Sequence, residues 1–214
     1  RGRFFLATFF AAIASDCPMA QSPFDIELDE ITLAQARRGQ ESACERIFRA
    51  YQQPAYSVAY RICHCRETAQ EITQEAFITA FRKIRQFRGD APFWGWLRRV
   101  VVNHAISTLR RSPRDEALEL QDWHATTAGE QEQLGLAMDL ETALGELDAD
   151  DRAVVWLHDV EGYGHQEIAE LFGMTESFSK TRLSRARSKL RLLLEDAGHG
   201  AGLTPEVAAA AGSL

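Results

Sequence analysis

The sequence is poor in the residues that mark several common classes of protein. Only four of its 214 residues are cysteine, and Cys17, Cys44, Cys63 and Cys65 follow no common zinc-binding spacing. So few cysteines exclude a disulfide-rich scaffold and indicate reduced thiols in a cytosol. Six prolines and fourteen glycines exclude a collagen-like or low-complexity chain. The sequence also lacks the alternating pattern of a β-strand, a phosphate loop and a nucleotide-binding fingerprint.

Long apolar runs are scarce as well, and the one that stands out lies near the N-terminus. Phe4–Ala14 is a run of 11 residues that follows Arg1 and Arg3. It is too short to cross a bilayer as a helix, although its length and basic flank are those of a signal-peptide core. Because Met19 opens a polar stretch that looks like an ordinary start, we expect residues 1–18 to be upstream or unstructured sequence. The alternative is a segment that touches a membrane or a partner.

Charge is present in quantity but unevenly distributed. With 45% hydrophobic and 26% charged residues, the chain has enough apolar material for a core. The net charge is −7, yet residues 31–111 hold 14 basic and 6 acidic side chains. Residues 112–151 hold 1 basic and 12 acidic side chains. Residues 152–194 hold 7 basic and 5 acidic side chains. Two basic blocks flanking an acidic stretch are typical of a partner-binding chain.

Apolar residues recur at helical spacing in two parts of the chain. The first part is residues 31–111, which follow an N-terminal extension of residues 1–30. Residues 112–137 are acidic and lack a sustained apolar stripe, which indicates a linker. Residues 138–196 form a second helical set, and the Ala/Gly-rich tail at 197–214 is expected to be disordered. The sequence predicts an all-α protein with two small helical domains joined by an acidic linker.

Local signals predict where individual helices begin and end. Pro54 interrupts an apolar stripe and is expected to end or kink its helix. Asp148, Asp150 or Asp151 is expected to cap a helix over residues 152–159.

Residues 164–194 have the form of a helix-turn-helix, with Gly173 in the turn. The second helix carries six cations and no acid between Lys180 and Leu194, with hydroxyl residues interleaved. Cations neutralise phosphates, and short polar side chains reach base edges in a major groove. The alternative is a solvated basic face on an ordinary bundle. The DNA-contacting residues predicted for this helix are Lys180, Thr181, Arg182, Ser184, Arg185, Arg187 and Ser188.

Aromatic and basic residues alternate closely in the segment from Phe87 to Arg111. Trp94 and Trp96 lie near Arg88 and Arg99 in the sequence. Such a mixture suits single-stranded nucleic acid, because bases stack on rings while guanidinium groups neutralise phosphates. The alternative is that the rings form only the core.

Three segments, in order, carry the motifs of one family. Residues 71–77 resemble the polymerase-binding helix of the extracytoplasmic-function (ECF) sigma factors of the bacterial housekeeping sigma family. Residues 87–111 resemble the promoter-melting and −10 recognition region of that family, and residues 147–187 resemble its −35-reading domain. Together the matches extend from about residue 40 to 195. The resemblance implies a sigma region 2-like domain at 31–111 and a region 4-like helix-turn-helix domain at 138–196.

The resemblance also implies a role for each group of residues. The helix that carries Glu71, Gln74, Glu75 and Phe77 would dock on the clamp of the largest subunit of core RNA polymerase. The second domain would lie near the flap. Promoter melting and capture of an unpaired −10 base from the non-template strand would fall to Arg88, Asp90, Trp96, Arg99 and Asn103.

The implied protein is a cytoplasmic transcription factor and not an enzyme. Its partners would be core polymerase, promoter DNA and an anti-sigma factor, with no cofactor, metal or small-molecule substrate. Cys63-His64-Cys65 is not expected to bind metal, because adjacent residues on a helix point apart. His158 and His165 are expected to be polar surface or cap residues.

The chain departs from the family pattern at the start of the recognition helix. Ser177-Phe178-Ser179 replaces the usual Gly-Thr-Val, so that Ser179 stands in place of a buried valine. We expect Phe178 to take over part of the packing. Two other functions are consistent with the sequence: a helix-turn-helix regulator acting without polymerase, and a sigma-like decoy that binds a regulator.

Overall fold

A computed structural model of the chain describes residue 26, residues 28–111 and residues 140–196. The regular secondary structure of these residues is entirely helical, which confirms the all-α prediction. The chain divides between Leu118 and Glu119 into compact units, one with the earlier described residues and one with the later. The predicted linker at 112–137, tail at 197–214 and most of the N-terminal extension lie outside the described residues. No helix in the described part of the chain is long and apolar enough to cross a membrane.

The described residues of the first unit form four α-helices. They are α1 (Glu30–Arg37), α2 (Glu41–Cys63), α3 (Arg66–Lys83) and α4 (Phe93–Arg111), with a 3₁₀ turn at Ile84–Gln86. The Asp29 carboxylate caps α1 by accepting a hydrogen bond from the Thr32 N–H. Helices α2, α3 and α4 pack on one another, and α1 packs on α2. The fully buried side chains between them include Ile47, Tyr51, Ile62, Ile72, Leu97, Val101 and Ile106.

Pro54 lies inside α2, which continues from Glu41 to Cys63, so the expectation that the proline ends the helix is wrong. A proline inside a helix costs about 3 kcal/mol because it removes a hydrogen bond and clashes with the preceding turn. The apolar residues on both sides of it, among them Ile47, Ala55 and Ile62, are fully buried in one core. Burial along the whole length of α2 offsets the local cost.

The Cys63-His64-Cys65 segment is where α2 stops. His64 has a left-handed conformation with φ of 56°, and its N–H donates to the Tyr60 carbonyl at 2.7 Å. The Cys63 Sγ lies 3.4 Å from the Cys65 carbonyl, and the Cys65 Sγ lies 3.3 Å from Glu67 Oε2. Across the described residues, no group of three or more His, Cys, Asp or Glu side chains is placed to hold a metal. The described contacts of this segment are those of a helix end.

In the second unit, the described residues start with a helical segment at 140–145. Helix α5 (Ala149–Val155) follows and continues as a π-helical turn at Trp156–Val160. Next come α6 (His165–Phe172) and α7 (Glu176–Asp196). The helix predicted over residues 152–159 therefore starts three residues earlier, at Ala149, and its second half is a π-helical turn instead of an α-helix. The shared core is formed by Leu140, Leu144, Leu157, Ile168, Leu183, Ala186 and Leu190.

Helices α6 and α7 form the predicted helix-turn-helix. Gly173 ends α6 with φ of 65°, a conformation that glycine adopts without steric cost. The Met174 N–H then donates to the Ala169 carbonyl at 2.9 Å, which closes the turn. Both Ala169 and Ile168 are buried, so α6 presents a small and a large apolar side chain to the core.

Candidate polymerase and nucleic-acid interfaces

The α3 residues predicted to contact polymerase divide into an exposed set and a buried one. Glu71, Gln74 and Glu75 are exposed, and Ile78, four residues after Gln74, is 50% exposed. Phe77 is only 3% exposed, and its ring packs edge-on against Phe48 with centroids 4.9 Å apart. The ring of Phe77 is thus part of the core, while the polar residues and Ile78 form the accessible face.

Glu75 also joins α3 to α4. Its Oε2 lies 3.4 Å from Nδ1 of His104, and Nε2 of the same imidazole is hydrogen-bonded to Thr79 Oγ1 at 3.0 Å. His104 therefore contacts two successive turns of α3 and fixes the lateral position of α4.

The aromatic residues before and within α4 form a cluster with one accessible member. The ring centroids of Phe87, Phe93 and Trp96 are between 5.3 and 5.7 Å apart. Trp94 is buried and stacks on Tyr51, with centroids 5.9 Å apart and planes 3° from parallel. Trp96 is half-buried. Part of the ring set is core, as the alternative interpretation held, and Trp96 is the tryptophan of this cluster that reaches the surface.

The residues predicted to melt promoter DNA lie in a loop and on one face of α4. Arg88 and Asp90 are exposed in the loop that precedes the helix. Trp96, Arg99 and Asn103 follow at three- and four-residue spacing along α4, which places them on one face. Arg99 and Asn103 are exposed. The face thus combines a ring, a guanidinium and an amide over about two helical turns.

Two hydrogen bonds fix the chain just before this loop. Arg37 Nη2 on α1 donates to the Phe87 carbonyl at 2.6 Å, and Arg85 Nε donates to the Arg37 carbonyl at 3.1 Å. Since Phe87 is itself buried, the loop from Arg88 starts at a fixed point.

The residues of α7 predicted to contact DNA divide into an exposed set and a set held by acidic side chains. Lys180, Thr181, Ser184 and Ser188 are exposed. Lys180 and Thr181 are adjacent, and Ser184 and Ser188 follow at intervals of three or four residues, about one turn each. Lys180 Nζ lies 2.7 Å from Glu176 Oε1, one turn earlier on the same helix. Such an exposed ion pair opens at little cost. These residues form the accessible row of α7.

Arg182 and Arg185 lie on a flank of α7 that faces carboxylates from the start of α5. Asp151 is 2% exposed and bridges both: its Oδ1 is 2.9 Å from Arg182 Nη1, and its Oδ2 is 3.1 Å from Arg185 Nε. Asp150 Oδ2 lies 3.5 Å from Arg182 Nη2. The Asp148 carboxylate contacts both arginines as well. Arg182 is accordingly held within the domain, whereas the Arg185 side chain remains 61% exposed.

Arg187 is held on the other flank. Its Nε and Nη2 donate to the two carboxylate oxygens of Asp159 at 3.1 and 2.5 Å. Asp159 is buried and needs such partners. Arg187 therefore serves the packing of α7, and the sequence pattern, which counts cations without their partners, did not separate it from Lys180.

His158 and His165, expected from the sequence to be polar surface or cap residues, are half-buried and contact each other. Their rings stack with centroids 4.6 Å apart. His165 Nδ1 is hydrogen-bonded to Ser179 Oγ at 3.0 Å, and His158 Nδ1 lies 2.8 Å from Asp159 Oδ1. Burial, together with the charges of His158 and Lys180, lowers the pKa of His165 below its ordinary value of 6.5. The two imidazoles thus join the π-helical turn, α6 and α7.

The start of α7 carries the departure from the family pattern. Ser179 is fully buried, and Phe178 packs on Phe172 with ring centroids 5.5 Å apart, which confirms that Phe178 contributes to the packing. The Arg182 guanidinium carbon lies 5.4 Å from the Phe178 ring centroid.

Comparison with known proteins identifies the family. Models of two domains match the chain: sigma-70 region 2 over residues 47–114, and sigma-70 region 4 over residues 137–190. The ECF RNA polymerase sigma factor SigM of Mycobacterium tuberculosis is 31% identical over 166 residues, which are 78% of this chain and 84% of that protein. The ECF RNA polymerase sigma-E factor of Escherichia coli K12 is 27% identical over 176 residues, 76% and 92% of the two chains.

A solved structure has a similar fold. The sigma factor RpoE of Bartonella quintana, in complex with the anti-sigma factor NepR, superposes with a TM-score of 0.51 at 22% identity. The match covers 71% of this chain and 96% of that one. The domain models and the relatives together give the family of this chain. They match ECF sigma factors with region 2 and region 4 domains, so the broader term housekeeping sigma family is imprecise. Sigma factors are transcription initiation factors rather than enzymes, and this chain belongs to their ECF family.

Proposed function

We propose that this protein is a dissociable subunit of RNA polymerase that recognises −10 and −35 promoter elements and promotes melting of the duplex. It would act in the cytoplasm, where core polymerase is found, and it would have no catalytic centre of its own. The observation that carries the proposal is the face of α4 formed by Trp96, Arg99 and Asn103 beside the exposed loop with Arg88 and Asp90.

This face suits the capture of an unpaired base. Extruding a base from the stack costs a few kcal/mol. Stacking on an aromatic ring returns about 1–3 kcal/mol per base. The partly exposed ring of Trp96 offers the stacking surface, and the Asn103 amide offers both a donor and an acceptor for a base edge. Arg88 and Arg99 supply positive charge for the phosphates on either side.

Polymerase binding would use the accessible face of α3. Glu71 and Gln74 present polar groups one turn apart, and Ile78 adds an exposed apolar side chain one turn further on. An apolar residue among polar ones on a rigid helix is the composition expected of a docking face. We infer that this face binds the clamp of the largest polymerase subunit, and that the second domain binds near the flap.

Promoter duplex binding would use the accessible row of α7, the second helix of the helix-turn-helix. A helix in this position enters the major groove with its first turns nearest the bases. Lys180 would contact a phosphate, while the hydroxyls of Thr181, Ser184 and Ser188 reach base edges or phosphates.

An anti-sigma factor is a further partner that we propose. The Bartonella quintana structure is a complex of a sigma factor with such a protein. A regulator of this kind would compete with polymerase and DNA for the accessible faces of α3 and α7.

Run-off transcription with reconstituted polymerase tests the proposed function. Core polymerase with this protein is expected to start transcripts at a subset of promoters from its own genome, and core polymerase alone is not. A pull-down with core polymerase, using wild type and Gln74→Ala, gives the separate binding readout. Binding to duplex DNA without any binding to core polymerase would support a plain helix-turn-helix regulator. Binding to polymerase without transcripts from any genomic promoter would support a decoy.

A further inference from the structure

Asp148 makes an ionic contact that the proposed function does not require. It occupies the N-cap position of α5, yet its carboxylate accepts no capping hydrogen bond from that helix. Its Oδ2 accepts a hydrogen bond from Arg185 Nη2 and lies 3.8 Å from Arg182 Nη1. An aspartate at an N-cap ordinarily stabilises its own helix by accepting a backbone N–H. Here the carboxylate reaches across to the helix that faces DNA.

The two arginines already have a partner without Asp148. Asp151 is buried and bridges Arg182 and Arg185, so both guanidinium groups remain paired if Asp148 moves away. With Asp150 included, three carboxylates face two guanidinium groups on this flank of α7. Asp148 is therefore the carboxylate of this flank that Arg182 and Arg185 can lose while each keeps an ionic contact with Asp151.

The contact between Asp148 and Arg185 is an exposed one. Their side chains are 57% and 61% exposed, in contrast to the 2% of Asp151. Exposed ion pairs contribute little to the stability of a fold, so this contact opens easily. Arg185 also lies one turn after Thr181, which belongs to the accessible row of α7. A duplex seated on that row brings its phosphates within reach of Arg185.

We propose that Asp148 competes with DNA phosphate for Arg185 and thereby sets the affinity and salt dependence of duplex binding by the second domain. This inference rests on the proposed role of α7 as the helix that faces the duplex. In the free protein the Asp148 carboxylate occupies Arg185 Nη2. In the complex a phosphate oxygen replaces it, while Arg185 Nε stays on Asp151 and keeps its orientation.

The competition has a specific signature in salt titrations. A phosphate neutralised by an arginine releases its counterion, which adds about 0.9 to the slope of log affinity against log salt. In the wild type the Asp148 carboxylate neutralises part of the charge of Arg185, so this contact contributes less than that to the slope. In Asp148→Asn the contact contributes in full, so the slope steepens, by at most about 0.9. Without the competing charge, the affinity at low salt rises about two- to fivefold.

The test is fluorescence anisotropy with the full-length protein and a labelled mixed-sequence duplex, from ~50 to ~200 mM salt. A mixed sequence suffices because phosphate contacts do not depend on the bases. The matched control is Glu146→Gln, which removes one exposed acid from the same segment; only the backbone carbonyl of Glu146 contacts α7, accepting from Lys189. Asp148→Ser, whose hydroxyl can cap α5, is expected to behave like Asp148→Asn.

A double-mutant cycle decides the mechanism. In the background of Arg185→Ala, Asp148→Asn is expected to change neither affinity nor slope, because the contested group is gone. The proposal is overturned if Asp148→Asn binds no tighter than wild type, if Glu146→Gln gives an equal gain, or if the gain persists in Arg185→Ala. A wild-type protein that fails to bind the duplex even at low salt would overturn the proposed role of α7 and this inference together. Normal wild-type binding with an unchanged Asp148→Asn would overturn this inference alone.

Discussion

His165 Nδ1 and Ser179 Oγ are 3.0 Å apart, so one hydrogen bond joins the first residue of α6 to the first turn of α7. Ser179 is fully buried at a position where the family pattern has an apolar residue. A buried hydroxyl is costly unless it is hydrogen-bonded. His165 supplies that partner, and the pair takes over an orienting role that apolar packing would otherwise have.

Ser179→Ala is expected to destabilise the second domain by about 1 kcal/mol, because it removes this hydrogen bond and leaves the fold otherwise intact. Thermal or denaturant unfolding of the full-length protein measures the change. In the background of His165→Ala, the same substitution is expected to cost clearly less. An equal cost in both backgrounds would mean that the two side chains do not interact.

The second domain is expected to lose stability as the pH falls below 6.5. Burial comes first among the causes that lower the pKa of His165; the positive charges of His158, Lys180 and Arg187 add to it, while Glu176 opposes them. The unfolded chain therefore binds a proton at His165 at a pH where the folded domain does not, and stability is fully present only above the unfolded pKa. An NMR titration of the His165 ring in wild type gives the pKa directly. His165→Gln should flatten the dependence of the melting temperature on pH, and a ring pKa at or above 6.5 would contradict the expectation.

Lys180→Ala and Arg187→Ala are expected to have opposite consequences. Lys180 belongs to the accessible row, so its loss should weaken duplex binding with little change in stability. The salt slope should fall by at most about 0.9, because the ion pair with Glu176 already neutralises part of the charge of Lys180. Arg187 holds the buried Asp159, so its loss should destabilise the domain by roughly 1.5–3 kcal/mol. Anisotropy and thermal unfolding of both variants separate the roles. Weaker DNA binding by a fully stable Arg187→Ala would return that residue to the DNA interface.

Asn103→Ala is expected to impair promoter opening while it spares binding to polymerase. The exposed amide lies two turns from Trp96 on the same face, where both can hold one extruded base. A fluorescent base in the −10 element reports opening, and a premelted bubble template should partly rescue the variant because its strands are already apart. Ser107→Ala is the matched control, exposed one turn later on α4. Normal opening of a duplex promoter by Asn103→Ala would remove Asn103 from the site.

Gln74→Ala is expected to weaken binding to core polymerase without loss of stability, since its side chain is exposed. Phe77→Ala should instead destabilise the first domain by about 3–5 kcal/mol, because the ring is buried against Phe48. Glu75→Gln is a less clean probe, as Glu75 also contacts His104. Pull-down and unfolding measurements on the same preparations distinguish docking from packing. Polymerase binding by Gln74→Ala at the wild-type level would move the docking face away from Gln74.

Structural features that depend on residues close together in the sequence could be predicted from the sequence. The helix-turn-helix over residues 164–194 and its turn at Gly173 follow from the local apolar spacing and from a glycine, which adopts φ of 65° without steric cost. The face of α4 shared by Trp96 and Asn103 follows from helical spacing alone.

Features set by distant partners could not be predicted in this way. Arg187 and Lys180 look alike in a basic helix, and only the position of Asp159, 28 residues before Arg187, separates them. Trp94 and Trp96 differ for the same reason, because burial depends on Tyr51 of another helix. That α2 continues past Pro54 could not be predicted either, because the local rule omits the burial of a whole helix.

The two hydrogen bonds between Arg37 and the chain just before Arg88 set the smallest unit of the first domain that can work. The matching family model begins at residue 47. A protein shortened to that bound would lack α1, leave the Phe87 carbonyl without its guanidinium donor, and expose apolar surface of α2. The loop that we propose receives the unpaired base would then start from an unsupported end. The working unit therefore extends back at least to Asp29, whose carboxylate caps α1. In a truncation series across α1, promoter opening is expected to be lost before the truncation reaches residue 47, where the family model begins.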